Sequence, residues 1–227
     1  MVQVEIVVQS VRDAVEAEEG GASRLELCCA LDLGGLTPSA GLIREVRHAT
    51  GLPLFAMIRC RPGGFHYEEA ELRVMLEDAQ AALAAGADGM VFGALDDAGR
   101  VHREHNARII QAADGRPVVF HRAFDATPNA DRALEDLIEL RFTRVLTSGH
   151  APTAEEGIPT LRRHLERAGS RIEVLPGGKI RAHNAAQIVA ETGATQIHLA
   201  PLSSFPDGHQ GIRREDVAAV VAKVRKG

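Results

Sequence analysis

Eight short apolar runs alternate with helix-patterned stretches along this chain, and few architectures accept that rhythm. The runs are Val2–Val8, Arg24–Cys28, Leu54–Ile58, Gly89–Phe92, Pro117–His121, Arg144–Leu146, Ile172–Leu175 and Gln196–Leu199. Between them lie stripes of helical period, such as Leu72, Met75, Leu76, Ala79 and Leu83, and the last stretch, Asp216–Lys226, carries Val217, Val220, Val221 and Val224. Helix starts read at Ser10, with Asp13 three residues on, and at Thr37-Pro38. Gly21-Ala22-Ser23, Gly86-Ala87-Asp88 and Gly193-Ala194-Thr195 each pass from a helix end to a strand, the glycine supplying a left-handed cap. No linker or composition shift divides the chain. The pattern predicts an α/β fold, one (β/α)8 barrel of TIM type over residues 1–227 with a short C-terminal segment; an open doubly wound sheet is the rival.

In such a barrel the C-terminal strand ends carry the chemistry. The fifth run, P-V-V-F-H-R-A-F-D, breaks from Val118–Phe120 into His121, Arg122 and Asp125. Strand alternation turns Val4, Ile6, Val8, Leu25 and Leu27 toward the helices and Gln3, Glu5, Arg24, Glu26 and Cys28 inward. The same rule points Arg59, His121, Thr147, Gln196 and His198 inward. A barrel filled for stability alone would hold Val, Ile and Leu there, because an unpaired buried charge is costly. Glu5, Glu26, His121 and His198 are therefore the candidate acids and bases, with His121 first among them. Structural ion pairs, Glu5 with Arg24 and Glu26 with Arg59, explain any one of these residues equally well, but the set, with its two imidazoles, points to a ligand site.

The loop Pro176-Gly177-Gly178-Lys179 follows the seventh run, where barrels present backbone N–H groups to anions. Lys179, Arg59 and Arg61 would add positive charge. The reading is a site for a small anionic, phosphorylated metabolite worked by Glu/His acid–base chemistry, or for a divalent metal on Glu5, Glu26, His121 and His198. A net charge of −5, with aromatic residues at 4% and no Trp, disfavours nucleic acid. No run approaches membrane-spanning length. The start of the chain has no leader-like pattern, and its three cysteines form no disulfide pattern, which makes the cytoplasm the expected compartment.

Several stretches resemble the CutC family: Gly20–Cys28 (G-G-A-S-R-L-E-L-C), Gly34–Pro38, Met57–Arg59, Phe120–Asp125, Leu146–Gly149 (L-T-S-G) and Pro176–Gly178. The resemblance implies a βα barrel in the cytosol, a homodimer or higher oligomer, and a role in copper homeostasis with copper as ligand. Within these stretches Arg122, Asp125, Thr147, Ser148, Gly177 and Gly178, at strand ends and in the loops that follow, are the candidate substrate-binding residues with Arg59, Arg61 and Lys179. The chain departs from the family pattern at Val7, where a cysteine is usual, at Gly64 and Ala200, and at Lys179, where glycine is usual. Copper would need converging soft donors. Cys28 is the candidate metal ligand; Cys29, next to it on a strand, points the other way, and Cys60 is a possible second thiol.

Overall fold

The structure, a computed structural model, describes residues 1–225. Eight parallel strands, β1 (Gln3–Val8), β2 (Arg24–Leu27), β3 (Leu54–Met57), β4 (Gly89–Phe92), β5 (Val118–Phe120), β6 (Arg144–Thr147), β7 (Glu173–Pro176) and β8 (Gln196–Leu199), pair in chain order, with β8 beside β1. A parallel bridge between Gly177 and His198 joins β7 to β8 and closes the ring. Outside it run helices α1 (Val11–Glu19), α2 (Ala40–Ala49), α3 (Glu69–Ala84), α4 (Arg103–Ala112), α5 (Ala130–Glu139), α6 (Ile158–Ala168), α7 (Ala185–Thr192) and α8 (Arg214–Arg225). This is the barrel expected from the alternation. Among the described residues no helix is long and apolar enough to cross a membrane.

Two apolar layers hold the ring. Ile6, Leu25, Leu54, Phe92, Phe120 and Ile197 pack outward against the helices. Inside, Val7, Cys28, Met57, Val91, Val119 and Leu146 form a smaller cluster across the lumen. Beneath that cluster lies a polar layer. Arg24 pairs through Nε with Glu5 and donates to Gln3 (3.2 Å) and Gln196 (3.0 Å), while Arg144 Nε donates to Glu173 at 2.8 Å. The Glu5–Arg24 ion pair foreseen from sequence therefore exists; Glu26 and Arg59 do not form one.

Four local readings change. On β6 the inward residues are Arg144 and Leu146, so Thr147 faces the helix side and not the lumen. Helix α2 starts at Ser39, whose hydroxyl accepts from Leu42 N–H, because the Thr37 hydroxyl is committed to Arg59 N–H at 2.8 Å. After β8 the chain makes a hairpin of β9 (Leu202–Ser204) and β10 (Gln210–Ile212), tied to α1 by Ile212 N–H on Asp13 at 2.8 Å. Helix α8 begins at Arg214, and its expected end at Lys226 lies outside the described residues.

Candidate functional site

The lumen opens at the C-terminal ends of the strands into a cavity of about 290 Å³, lined by Glu26, Arg59, His121, Arg122, Lys179 and His198 among others. Beneath it, β1, β2 and β8 bring together Glu5, Glu26 and His198, because Glu5 is in register with both Arg24 and His198, and Val7 with Glu26. His198 Nδ1 donates to Glu5 Oε1 at 2.7 Å and lies 4.0 Å from Glu26 Oε2. Burial works against the Glu5 charge, but the His198 hydrogen bond and the Arg24 charge outweigh it and hold Glu5 ionised. The two carboxylates in turn overcome burial and raise His198. Glu26 lacks such partners: burial pushes its carboxyl up to about 7, against the pull of His198.

Across the mouth stands His121. Its Nδ1 accepts the Ala123 N–H at 3.2 Å, which leaves the proton of the neutral ring on Nε2. Burial and the Arg59 charge press its ionisation down to about 3. The geometry thus sets His121 Nε2 as a hydrogen-bond donor with its ionisation held below the ordinary range, whereas burial raises Glu26 toward neutrality. Gly93 on the neighbouring strand end makes room for the ring, since a Cβ there would fall 2.6 Å from His121 Nδ1.

Arg59 lies over the Phe65 ring at 5.1 Å and donates to the carbonyls of Gly34 (3.2 Å), Gly35 (3.3 Å) and Gly63 (2.6 Å). No carboxylate among the described residues meets it. On the far side, Arg122 Nε donates to Asp125 at 2.8 Å and its Nη2 to the Ser148 hydroxyl at 2.7 Å. Asp125 also accepts from Thr147 Oγ1 (2.5 Å) and Ser148 N–H (3.0 Å), so Asp125, Thr147 and Ser148 form the cradle that aims Arg122. Gly177 abuts His198 and Leu146 at the ring's closing bridge, and Gly178 and Lys179 line the cavity beyond it.

Three residues of the cavity lining each carry a buried polar atom without a hydrogen-bond partner: Glu26 Oε2, Arg59 Nε and His121 Nε2. These residues are 3%, 4% and 4% exposed, so bulk water does not compensate those atoms. Glu5, by contrast, has both oxygens engaged, which makes it the anchor of His198 instead of a free acid or base.

Two sequence candidates lie elsewhere. Arg61 turns away to pair with Glu71 of α3 and stacks on Tyr67 at 5.1 Å, outside the cavity lining. Cys28 points inward as expected, but into the apolar cluster with Val7 and Met57, where burial drives its thiol well above the ordinary range. The Cys29 Sγ donates to the Thr37 carbonyl at 3.1 Å, and all three cysteines are free. Sequence reasoning missed Arg181 and Phe65, which also line the cavity. Arg181 was within reach, two residues past the flagged Lys179; Phe65 sits in a loop whose direction no periodicity sets.

Fold and site together define a parallel (β/α)8 barrel with a pocket at its C-terminal mouth whose wall is largely apolar and whose charged residues are mostly cationic. The sequence profile of the CutC family matches residues 2–202, and the chain belongs to the CutC family. A CutC family protein from Treponema denticola is 48% identical over 88% of this chain and 82% of its own length. A human protein described as a copper homeostasis protein cutC homolog is 44% identical over 90% of this chain and 75% of its own length. The crystal structure of a CutC protein from Streptococcus agalactiae superposes with a TM-score of 0.83 at 35% identity, covering 87% of this chain and 98% of that one.

Proposed function

We propose that this chain shares the copper-homeostasis role for which its human and mouse relatives are named, and that its own molecular act is to hold a small anionic molecule in the barrel mouth. What supports the second half is one cavity lined by Arg59, His121, Arg122, Lys179 and Arg181 together with Glu26, of which Glu26, Arg59 and His121 each carry a buried atom without a hydrogen-bond partner. Two donors and one carboxyl near neutrality suit a ligand with an electron-rich oxygen and an exchangeable proton. His121 and Arg59 would polarise the oxygen, and Glu26 would give or take the proton.

Copper fits this site poorly as Cu(I), which prefers thiolate and thioether donors. The Cys28 thiol resists ionisation, and neither Cys29 nor Cys60 joins it in a donor pair. A second reading, a divalent ion, is favoured by one observation: ligand atoms of Glu5, Glu26 and His198 lie within 4.8 Å of one another. These oxygen and nitrogen donors suit Cu(II) or Zn(II), though Glu5 would have to exchange its Arg24 or His198 bond for the ion. A cytoplasmic setting belongs to the proposal and is supported by three cysteines outside any disulfide. Association as a homodimer or higher oligomer belongs to it too, on the family resemblance alone.

Equilibrium competition for Cu(I), run on wild type and Cys28→Ser, tests the copper half. The expected result is the same weak competition from both proteins. A stoichiometric Cu(I) complex lost in Cys28→Ser would overturn the poor fit to Cu(I), restore a thiolate site and strengthen the copper role. For the divalent reading, Cu(II) binding lost in Glu26→Gln is the supporting result.

A further inference from the structure

We propose that the ligand of this mouth is a phosphate monoester, seated with its phosphoryl group on the β7 side against Arg122, Lys179 and the Gly178–Lys179 backbone. This rests on the reading that the mouth binds an anion, and it adds the anion's class and its direction.

The β7 side is built differently from the Arg59 side. Arg122 has Nε fixed on Asp125 and Nη2 on Ser148, so Nη1 is the guanidinium nitrogen left for a ligand. Gly178 adjoins it, since a Cβ there would sit 3.7 Å from Arg122 Cζ. Gly178 (φ +119°) and Lys179 (φ +56°) are both left-handed, and for Lys179 that conformation costs about 1 kcal/mol or more. Among the described residues their backbone N–H groups donate to no backbone carbonyl. Successive free N–H groups in such a bend make a concave anion seat. The same cavity is lined by Glu26, Arg59 and His121, whose side chains each carry a buried polar atom without a hydrogen-bond partner.

Charge selects the class. Arg122 is offset by Asp125, but Lys179 and Arg181 of the lining face no carboxylate among the described residues, and the Arg181 Nη1 donates only to the Ile180 carbonyl at 2.7 Å. Two uncompensated cations match a phosphate monoester, which carries roughly −1.5 to −2 at neutral pH, better than a single carboxylate. Between this end and the Glu26 and His121 end, the wall is apolar: Met57, Phe65, Leu146 and Leu199. The ligand therefore has a phosphoryl head, a short carbon body and a polar far end. A cavity of about 290 Å³ limits it to a small metabolite.

Titration calorimetry with inorganic phosphate at low ionic strength tests this. Wild type is expected to bind one phosphate per chain, with Lys179→Ala and Arg122→Ala each weaker by about tenfold or more. Arg61→Ala, which removes a cation outside the cavity, is expected to stay within about twofold. Lys179 is exposed and pairs with no carboxylate among the described residues, so its variant should keep the ligand-free melting temperature and reads binding alone. Absence of saturable phosphate binding, or binding indifferent to both substitutions, overturns the proposal. A parallel titration with succinate separates the two readings. Succinate binding lost in Arg59→Met, with no phosphate binding, would sink the monoester while leaving the anion site; failure of both titrations would sink both.

Discussion

Glu26 is the residue on which the chemistry of the mouth turns. Its neighbour Glu5 took the partners: Arg24 on one oxygen and His198 on the other. Left with desolvation, Glu26 rises from an ordinary 4.5 to about 7. A folded value above the unfolded one means that the native state holds this proton more tightly. The stabilisation from Glu26 is thus complete below about 4.5 and is lost as the pH climbs through about 7. Glu26→Gln, which cannot ionise, should remove that loss. Urea denaturation at about pH 5 and about pH 8 should show the variant gaining on the order of 1–3 kcal/mol over wild type at the higher pH relative to the lower. Equal differences at the two pH values would mean that Glu26 titrates normally. His121 teaches the converse. Its place at a strand end was legible from the sequence, but its role was not, because the Ala123 N–H that fixes its tautomer belongs to the turn after the strand.

At the scale of elements, the short 3-10 turn Arg122–Ala126 after β5 joins fold to site. Its Asp125 gathers Arg122, Thr147, Ser148 and the His150 N–H onto one buried carboxylate. Despite burial, those hydrogen bonds hold its ionisation below the usual range. Asp125→Ala should cost about 2–4 kcal/mol, because the orphaned donors lose a charged acceptor. Asp125→Asn should fold more nearly as wild type yet bind phosphate less tightly, since Arg122 is no longer aimed. Calorimetry and thermal melts on the pair check both; an Asn variant with unchanged phosphate affinity would show that Arg122 needs no cradle. How far such detail was readable depended on the element. Glu5, Glu26 and His198 sit on strands whose period of two fixes their face, so alternation found them. In β6, R-V-L-T, apolar residues stand at both 145 and 146, so the pattern did not choose a face and Thr147 was assigned to the wrong one. Arg61 was misplaced because a loop has no period, and Glu71 on α3 claimed it.

Across the whole molecule, the charge balance and the local field disagree. The chain carries a net charge of −5, yet its mouth gathers Arg59, Arg122, Lys179 and Arg181 around the partly protonated Glu26. The barrel makes this possible by stacking its layers. Charges at the bottom pair among themselves, an apolar cluster seals the middle, and Glu26, Arg59 and His121 stand at the top, each with a buried atom that has no partner. Eight strand–helix units were visible in the sequence as repetition; the layering was only half visible, because it depends on which inward residues find partners across the lumen. A cavity that concentrates cations on a net-acidic surface should bind anions with an affinity that falls as salt screens them. The most direct measurement of the central claim is a thermal-shift screen of small anionic metabolites, phosphorylated and not, on wild type and His121→Ala side by side. The account predicts that at least one anion raises the wild-type melting temperature, and that His121→Ala folds but does not respond to it. A His121→Ala protein that responds as wild type does, or that fails to fold at all, would contradict the claim that this ring is there to meet a ligand.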